Sequence, residues 1–200
     1  MAGISCMLRS KMLLVTIFVV AVSGAHFPSV DNSPEGDPLW GYFSKVAGQD
    51  GQIDAFELQQ CLTASGIHGS YHPFSRAACI LLIQMLDRDY SGAMGFSEFN
   101  ELWDALNQWR TFYVSVDGDR SGTVEPHEFQ QALVSHGYNL SPHAIQIMVR
   151  RFSARMSFDD FVFCFIRLRA LTDQFNRRDT SRTGHADFQY DDFIQVTTGL

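Results

Sequence analysis

The chain is short of cysteine, of basic charge and of long apolar runs. Its 4 cysteines in 200 residues are too few for a disulfide scaffold. Only 15 basic residues stand against 22 acidic ones, and the net charge of −7 has the wrong sign for a nucleic-acid-binding face. No apolar stretch reaches the ~20 residues that an ordinary membrane-spanning helix needs. The 7 histidines show no metal-ligand spacing, and no cysteine–histidine pair comes with the orienting partner that a nucleophile requires, so the chain reads as non-enzymatic. Hydrophobic residues are plentiful at 46%, aromatics make up 13%, and there are 17 phenylalanines. That excludes wholesale disorder and supplies a bulky core.

The N-terminus stands apart. Arg9 and Lys11 precede an 11-residue run from Met12 to Val22 that is polar only at Thr16. Ser23, Gly24 and Ala25 then offer small residues before His26. Residues 1–25 have the shape of a secretory signal peptide, and an alternative start that mimics one would look the same. Removal of this segment would leave Cys61, Cys79 and Cys164, an odd number. These lie in apolar helical contexts such as RAACILLI and FVFCFIRL, which suit buried reduced thiols. Residues 26–38, rich in proline, read as a linker. Organised sequence runs from Leu39, giving one domain over 39–200.

Within it a segment repeats. Residues 87–98, DRDYSGAMGFSE, and 117–128, DGDRSGTVEPHE, align without a gap. Both follow Asp-x-Asp-x-Ser-Gly-x-apolar-x-x-x-Glu, the twelve-residue EF-hand calcium loop. Calcium is a hard cation that takes about 6–8 oxygens, and alternate positions of a tight loop point inward to supply them. In the first loop the ligand oxygens are assigned to Asp87, Asp89, Ser91, the Ala93 carbonyl and Glu98, with a water expected where Gly95 has no side chain. In the second they fall to Asp117, Asp119, Ser121, the Thr123 carbonyl, Glu125 and Glu128. Gly92 and Gly122 allow the sharp bend. Met94 and Val124 are the residues expected to form short strands with neighbouring loops. With four carboxylates against three, the second loop is expected to bind more tightly.

The flanks agree. SRAACILLIQML has helical periodicity, with Ser75 as N-cap. Residues 96–116 form one apolar-striped stretch that predicts a single helix ~31 Å long joining the two loops. Ser141 and Pro142 mark another helix start.

Degraded copies lie on either side. In residues 47–58, placing Ile53 at the strand position puts Val46 and Gly48 where Asp belongs, and only Asp50 and Glu57 remain as carboxylate ligands. Residues 149–161 keep Met156 and Asp160 but hold Val149, Arg151 and Ser153 at ligand positions, so no calcium is expected there. Residues 179–190 keep Asp179 and the bend at Gly184 but end on Tyr190, and should not hold calcium either. The fold is therefore predicted to be all-α, built of five EF-hand units paired through short β-bridges. Five leaves one unpaired. The apolar stretch DFQYDDFIQV in the last hand predicts a symmetric homodimer through residues 179–196.

Five hands with these defects resemble the penta-EF-hand family. The resemblance is carried by DPLWGYF, VAGQDGQIDA, MLDRDYSGAMGF, ELWDALNQWR, DRSGTVEP, SFDDFV, LRALTDQF, RRDT and YDDFIQ, which together cover residues 37–196. It implies an eleven-residue first loop that does bind calcium, through the Ala47 carbonyl, Asp50, the Gln52 carbonyl and Glu57. It also implies dimerisation by the fifth hand, a cytosolic location and calcium-driven movement to membranes and to targets such as calcium channels, exchangers and annexins. The chain departs from the family in lacking a Gly/Pro-rich N-terminal arm, and its fourth hand is two residues shorter.

Functionally, calcium binding is expected to open the hands and expose part of an aromatic set: Trp40, Tyr42, Phe43, Trp103, Trp109, Phe112 and Tyr113. A permanent core role for each remains the alternative. Three functions stay open: a cytosolic calcium sensor and adaptor, which is favoured; a secreted or luminal calcium binder, if residues 1–25 are cleaved; and a regulatory subunit of a calpain-like protease.

Overall fold

A computed structural model describes residues 37, 39–67, 73–152 and 155–198. The segment read as signal-peptide-like lies outside them, as does the linker apart from Asp37. Among the described residues eight helices follow one another: α1 (Trp40–Val46), α2 (Ala55–Ser65), α3 (Arg76–Leu86), α4 (Phe96–Val116), α5 (Pro126–Ser135), α6 (Pro142–Val149), α7 (Phe158–Arg178) and α8 (Tyr190–Thr198), with a 3-10 turn at Arg150–Phe152 after α6.

Local signals in the sequence set the helix ends. The Ser75 side chain accepts the Ala78 N–H to start α3. Ser141 caps α6 through the Ala144 N–H, with Pro142 at the first helical position. Asp54 accepts from Phe56 and Glu57, while the Glu57 carboxylate takes the Asp54 N–H, so α2 begins with a reciprocal capping box. The helix expected to join the two strong loops is continuous over the 21 residues of α4.

The helices form five helix–loop–helix units. Four pair as predicted. Ile53 and Met94 exchange N–H···O=C bonds of 2.9 Å each way, and Val124 and Met156 do the same at 2.9 Å. These four residues are fully buried, so each bridge is also a node of the core. Among the described residues the fifth unit has no such bridge.

One continuous apolar cluster runs from α1 to the first half of α7. Its aromatic centre is Phe161 and Phe165 of α7, whose tilted rings lie 4.8 Å apart and are surrounded by Trp109, Phe112 and Phe129. Within the aromatic set, Tyr113 is 1% exposed and Phe43 2%, so both belong to the core here. The Tyr113 hydroxyl reaches the carbonyls of Gly122 and Met156 at 2.9 Å each, pinning α4 to the bridge between the third and fourth hands. Trp40, Trp103, Trp109 and Phe112 are half-buried, and Tyr42 is exposed. Cys61, Cys79 and Cys164 are buried free thiols, as expected. Burial pushes Cys79 and Cys164 up to about 12, so neither is a thiolate at neutral pH.

Candidate calcium sites

Each loop begins where a helix runs out of hydrogen-bonding partners. Asp87 is the C-cap of α3, Asp117 of α4 and Asp179 of α7. From there three loops repeat one geometry. Asp87 accepts the Ser91 and Gly92 N–H groups at 3.0 and 2.8 Å. Asp117 accepts those of Ser121 and Gly122 at 2.9 and 2.8 Å, and Asp179 those of Thr183 and Gly184 at 2.9 and 2.7 Å. The left-handed bend is shared as well. Tyr90, Arg120 and Arg182 take φ of 59°, 58° and 54°, and the glycine two residues later lies at 75° to 80°. An aspartate at the first position thus organises its loop through backbone N–H groups before any ion is considered.

In the second and third hands further carboxylates converge on that frame. Ligand atoms of Asp87, Asp89 and Glu98 lie within 4.8 Å of one another, and so do those of Asp117, Asp119 and Glu128. The closing glutamates are held from both sides. Glu98 accepts the N–H of Arg88 at 3.1 Å and of Gly95 at 3.0 Å. Glu128 accepts those of Gly118 at 2.8 Å and Glu125 at 3.0 Å. Ser91 and Ser121 donate their hydroxyls to the Ala93 and Thr123 carbonyls, which places these ligand candidates side by side. Hydrogen bonds from Ser91 and Ser121 hold Asp89 and Asp119 below the usual carboxylate range, so both stay ionised. The donors are all oxygen and mostly anionic, which fits a hard divalent cation such as calcium and not a soft metal.

Glu125 does not join its cluster. Its carboxylate lies 3.8 Å from the Arg155 guanidinium and 3.5 Å from His127 Nδ1. The sequence counted it as a fourth inward carboxylate because position alone carries no information about neighbours on another hand.

The first hand corrects the twelve-residue alignment. Val46 is the last residue of α1, and the C-cap is Ala47, 1% exposed. Gly48 takes φ +58°, and a Cβ there would stand 3.8 Å from Glu57 Oε1, much as one at Gly118 would stand 3.6 Å from Glu128 Oε1. Ala47 and Gly48 therefore occupy the places of Asp117 and Gly118. The loop from Ala47 to Glu57 is one residue shorter than its neighbours, and the residue is lost before Ile53. Asp50 accepts the Gln52 N–H at 3.2 Å, as Asp119 accepts that of Ser121.

The two weak hands differ from each other. In the fourth, Val149 is still helical and buried where a ligand should stand. Burial lifts Asp160 above the usual carboxylate range, a poor state for a calcium ligand. Asp159, which the sequence did not single out, is 8% exposed and accepts the Ser75 N–H at 2.9 Å and the Ser157 hydroxyl at 2.6 Å. The fifth loop keeps its frame on Asp179 but has Tyr190, 81% exposed, at its end.

No family model matches the chain. Individual proteins do. The chain is 58% identical to sorcin from Homo sapiens over 166 residues, covering 82% of this chain and 84% of that protein. It is 55% identical to grancalcin from Mus musculus over 167 residues, 82% of this chain and 76% of that one. To peflin from Mus musculus the identity is 34% over 179 residues, 86% of this chain and 64% of that one. Among solved structures it is similar to a homolog of programmed cell death 6 protein from Leishmania major Friedlin, with a TM-score of 0.63 at 29% identity over 83% of this chain and 95% of that one.

Proposed function

We propose that this chain, which belongs to the penta-EF-hand family of calcium-binding proteins, works as a calcium-operated adaptor in the cytoplasm. In this reading the second site is made by Asp87, Asp89, Ser91, the Ala93 carbonyl and Glu98. The third is made by Asp117, Asp119, Ser121 and the Thr123 carbonyl, with Glu128 closing it and Glu125 at its edge. The first uses the Ala47 and Gln52 carbonyls with Asp50 and Glu57. Bound calcium supplies a compact divalent charge that draws oxygens into one shell.

The observation that carries the reading is the placement of the two convergent carboxylate clusters at opposite ends of one helix. Asp87, Asp89 and Glu98 sit at the start of α4; Asp117, Asp119 and Glu128 sit at its end. A change in how Glu98 or Glu128 is held is therefore felt along α4, whose half-buried Trp103, Trp109 and Phe112 pack on α7 and on neighbouring aromatics. Movement of α4 relative to α7 uncovers these rings for a target protein or a membrane surface. Among the described residues the fifth hand has no bridged partner, and α8 presents Tyr190, Phe193 and Ile194 outward, which supports a homodimer through residues 179–196.

Calcium titration of the purified chain by calorimetry tests the reading. Three binding events per chain are expected, at least one with a dissociation constant in the sensor range of about 10⁻⁷–10⁻⁵ M. Tryptophan emission should shift during the titration, and the chain should sediment with anionic vesicles only when calcium is present. Saturation without any change in emission or sedimentation would leave a calcium buffer and sink the adaptor.

A further inference from the structure

The two bridged hand pairs have the same geometry but different charges. In each pair the residue after the bridge on one hand faces the residue before the bridge on the other. In the first pair these are Gly95, after Met94, and Gln52, before Ile53. In the second they are Glu125, after Val124, and Arg155, before Met156. The first pair is neutral at this spot. The second holds an acid and a base 3.8 Å apart.

We infer that Arg155, on the hand that lacks calcium ligands, lowers the calcium affinity of the 117–128 loop, cancelling the extra charge of Glu125 so that the two twelve-residue loops bind alike. Glu125 is the one acidic residue by which the third loop exceeds the second, and Arg155 is the cation placed against it. Arg155 acts by charge and is not itself a ligand. It is solvent-exposed, with 66% of its side chain accessible, so replacing it opens no cavity in the core. Two nearby arginines lie elsewhere: Arg151 stacks on the Phe163 ring at 5.2 Å, and Arg110 lies over Tyr113 and Phe158 at 5.7 Å. The inference rests on the reading of residues 117–128 as a calcium site.

The test uses the full chain carrying E98Q, which silences the second loop, with Arg155 then changed to Gln or Lys. Calcium affinity is measured by calorimetry at low salt and again in about 0.5 M KCl, where the Debye length falls to roughly 4 Å. Removing one positive charge near a divalent site, partly screened by water, should tighten the third site by about three- to tenfold in R155Q. R155K should leave it unchanged, and the gain should collapse at high salt. The calcium-free chain gives a second readout. Without the guanidinium, the repulsion among Glu125, Asp117, Asp119 and Glu128 is less offset, so R155Q should melt lower than wild type in chelator, and R155K should not. Unchanged or weaker binding in R155Q, or equal tightening in R155K, overturns the inference. Adding E128Q separates the two claims: if it removes no binding event, the loop is not a calcium site and the underlying reading fails. If it does, and R155Q has no effect, only the role of Arg155 fails.

Discussion

His136 is a residue whose environment sets its protonation. Its ring lies 4.2 Å from Phe112 and 5.7 Å from Phe165, and Nδ1 donates to the Ala132 carbonyl at 3.0 Å. Burial lowers its pKa from the ordinary 6.5, so the folded chain favours the neutral ring. Protonation then costs folding free energy: stability is complete above about 6.5 and declines as pH falls below it. Asp160 pushes the opposite way, since burial raises its pKa and acid favours its folded form. The difference between wild type and His136→Phe isolates the histidine. Melting temperatures at pH 7.5 and 5.5 should show wild type losing more than the variant on acidification, and equal losses would refute the assignment. Glu128 gives a second test at this scale. The residue is 7% exposed, and its carboxylate accepts the Gly118 N–H across the third loop at 2.8 Å. Glu128→Gln keeps the shape and removes the charge, so calorimetry should count one binding event fewer while the apo chain stays folded.

At the level of elements, Asp159 is the tie that matters most. It stands in the first turn of α7 and accepts the N–H of Ser75, the N-cap of α3. One buried carboxylate thus serves two helix N-termini, where the backbone dipoles favour negative charge. The far end of α3 is Asp87, and the far end of α7 is Asp179, so the contact ties together two helices that end in acidic loops. Asp159→Ala should cost about 1–3 kcal/mol in urea unfolding, because it strands a buried donor. Asp159→Asn, which can still accept from Ser75, should cost less. A loss below about 0.3 kcal/mol in the alanine variant, well short of that range, would mean the tie is not structural. The sequence shows two adjacent acids after Ser157. It could not show that one of them turns inward to a helix 84 residues away in the chain.

For the whole molecule the open question is what α8 meets. Within one chain it is anchored by polar contacts. Arg178 donates to both Asp192 carboxylate oxygens at 2.6 and 2.9 Å and lies 4.7 Å from the Phe188 ring. Those contacts leave Phe193 49% and Ile194 37% exposed, and α8 buries no residue. Light scattering on the wild-type chain should give the mass of a dimer, and the double variant Phe193→Asp, Ile194→Asp should give that of a monomer with unchanged calcium stoichiometry. A wild-type monomer at micromolar concentration would end the dimer proposal.

The sequence by itself determined the helices, their caps, the bridge residues and the two strong loops. These depend on local chemistry: a twelve-residue pattern gathers most of its own carboxylates, and Ser75, Ser141 and Pro142 act within one turn. It also showed where the carboxylate pattern breaks, with Val149 and Tyr190 standing at positions where the loop pattern has an acid. Tertiary structure decided what depends on a second segment. Ala47 and Gly48 take the places of Asp117 and Gly118 only because α1 ends at Val46 and Ile53 is held to Met94. Tyr113 became core because its hydroxyl found Gly122 and Met156. Glu125 meets Arg155 at 3.8 Å only because a neighbouring hand packs beside its loop. A side chain's charge and shape are written in the chain, but the field and the partners it meets are set by whichever segment packs against it.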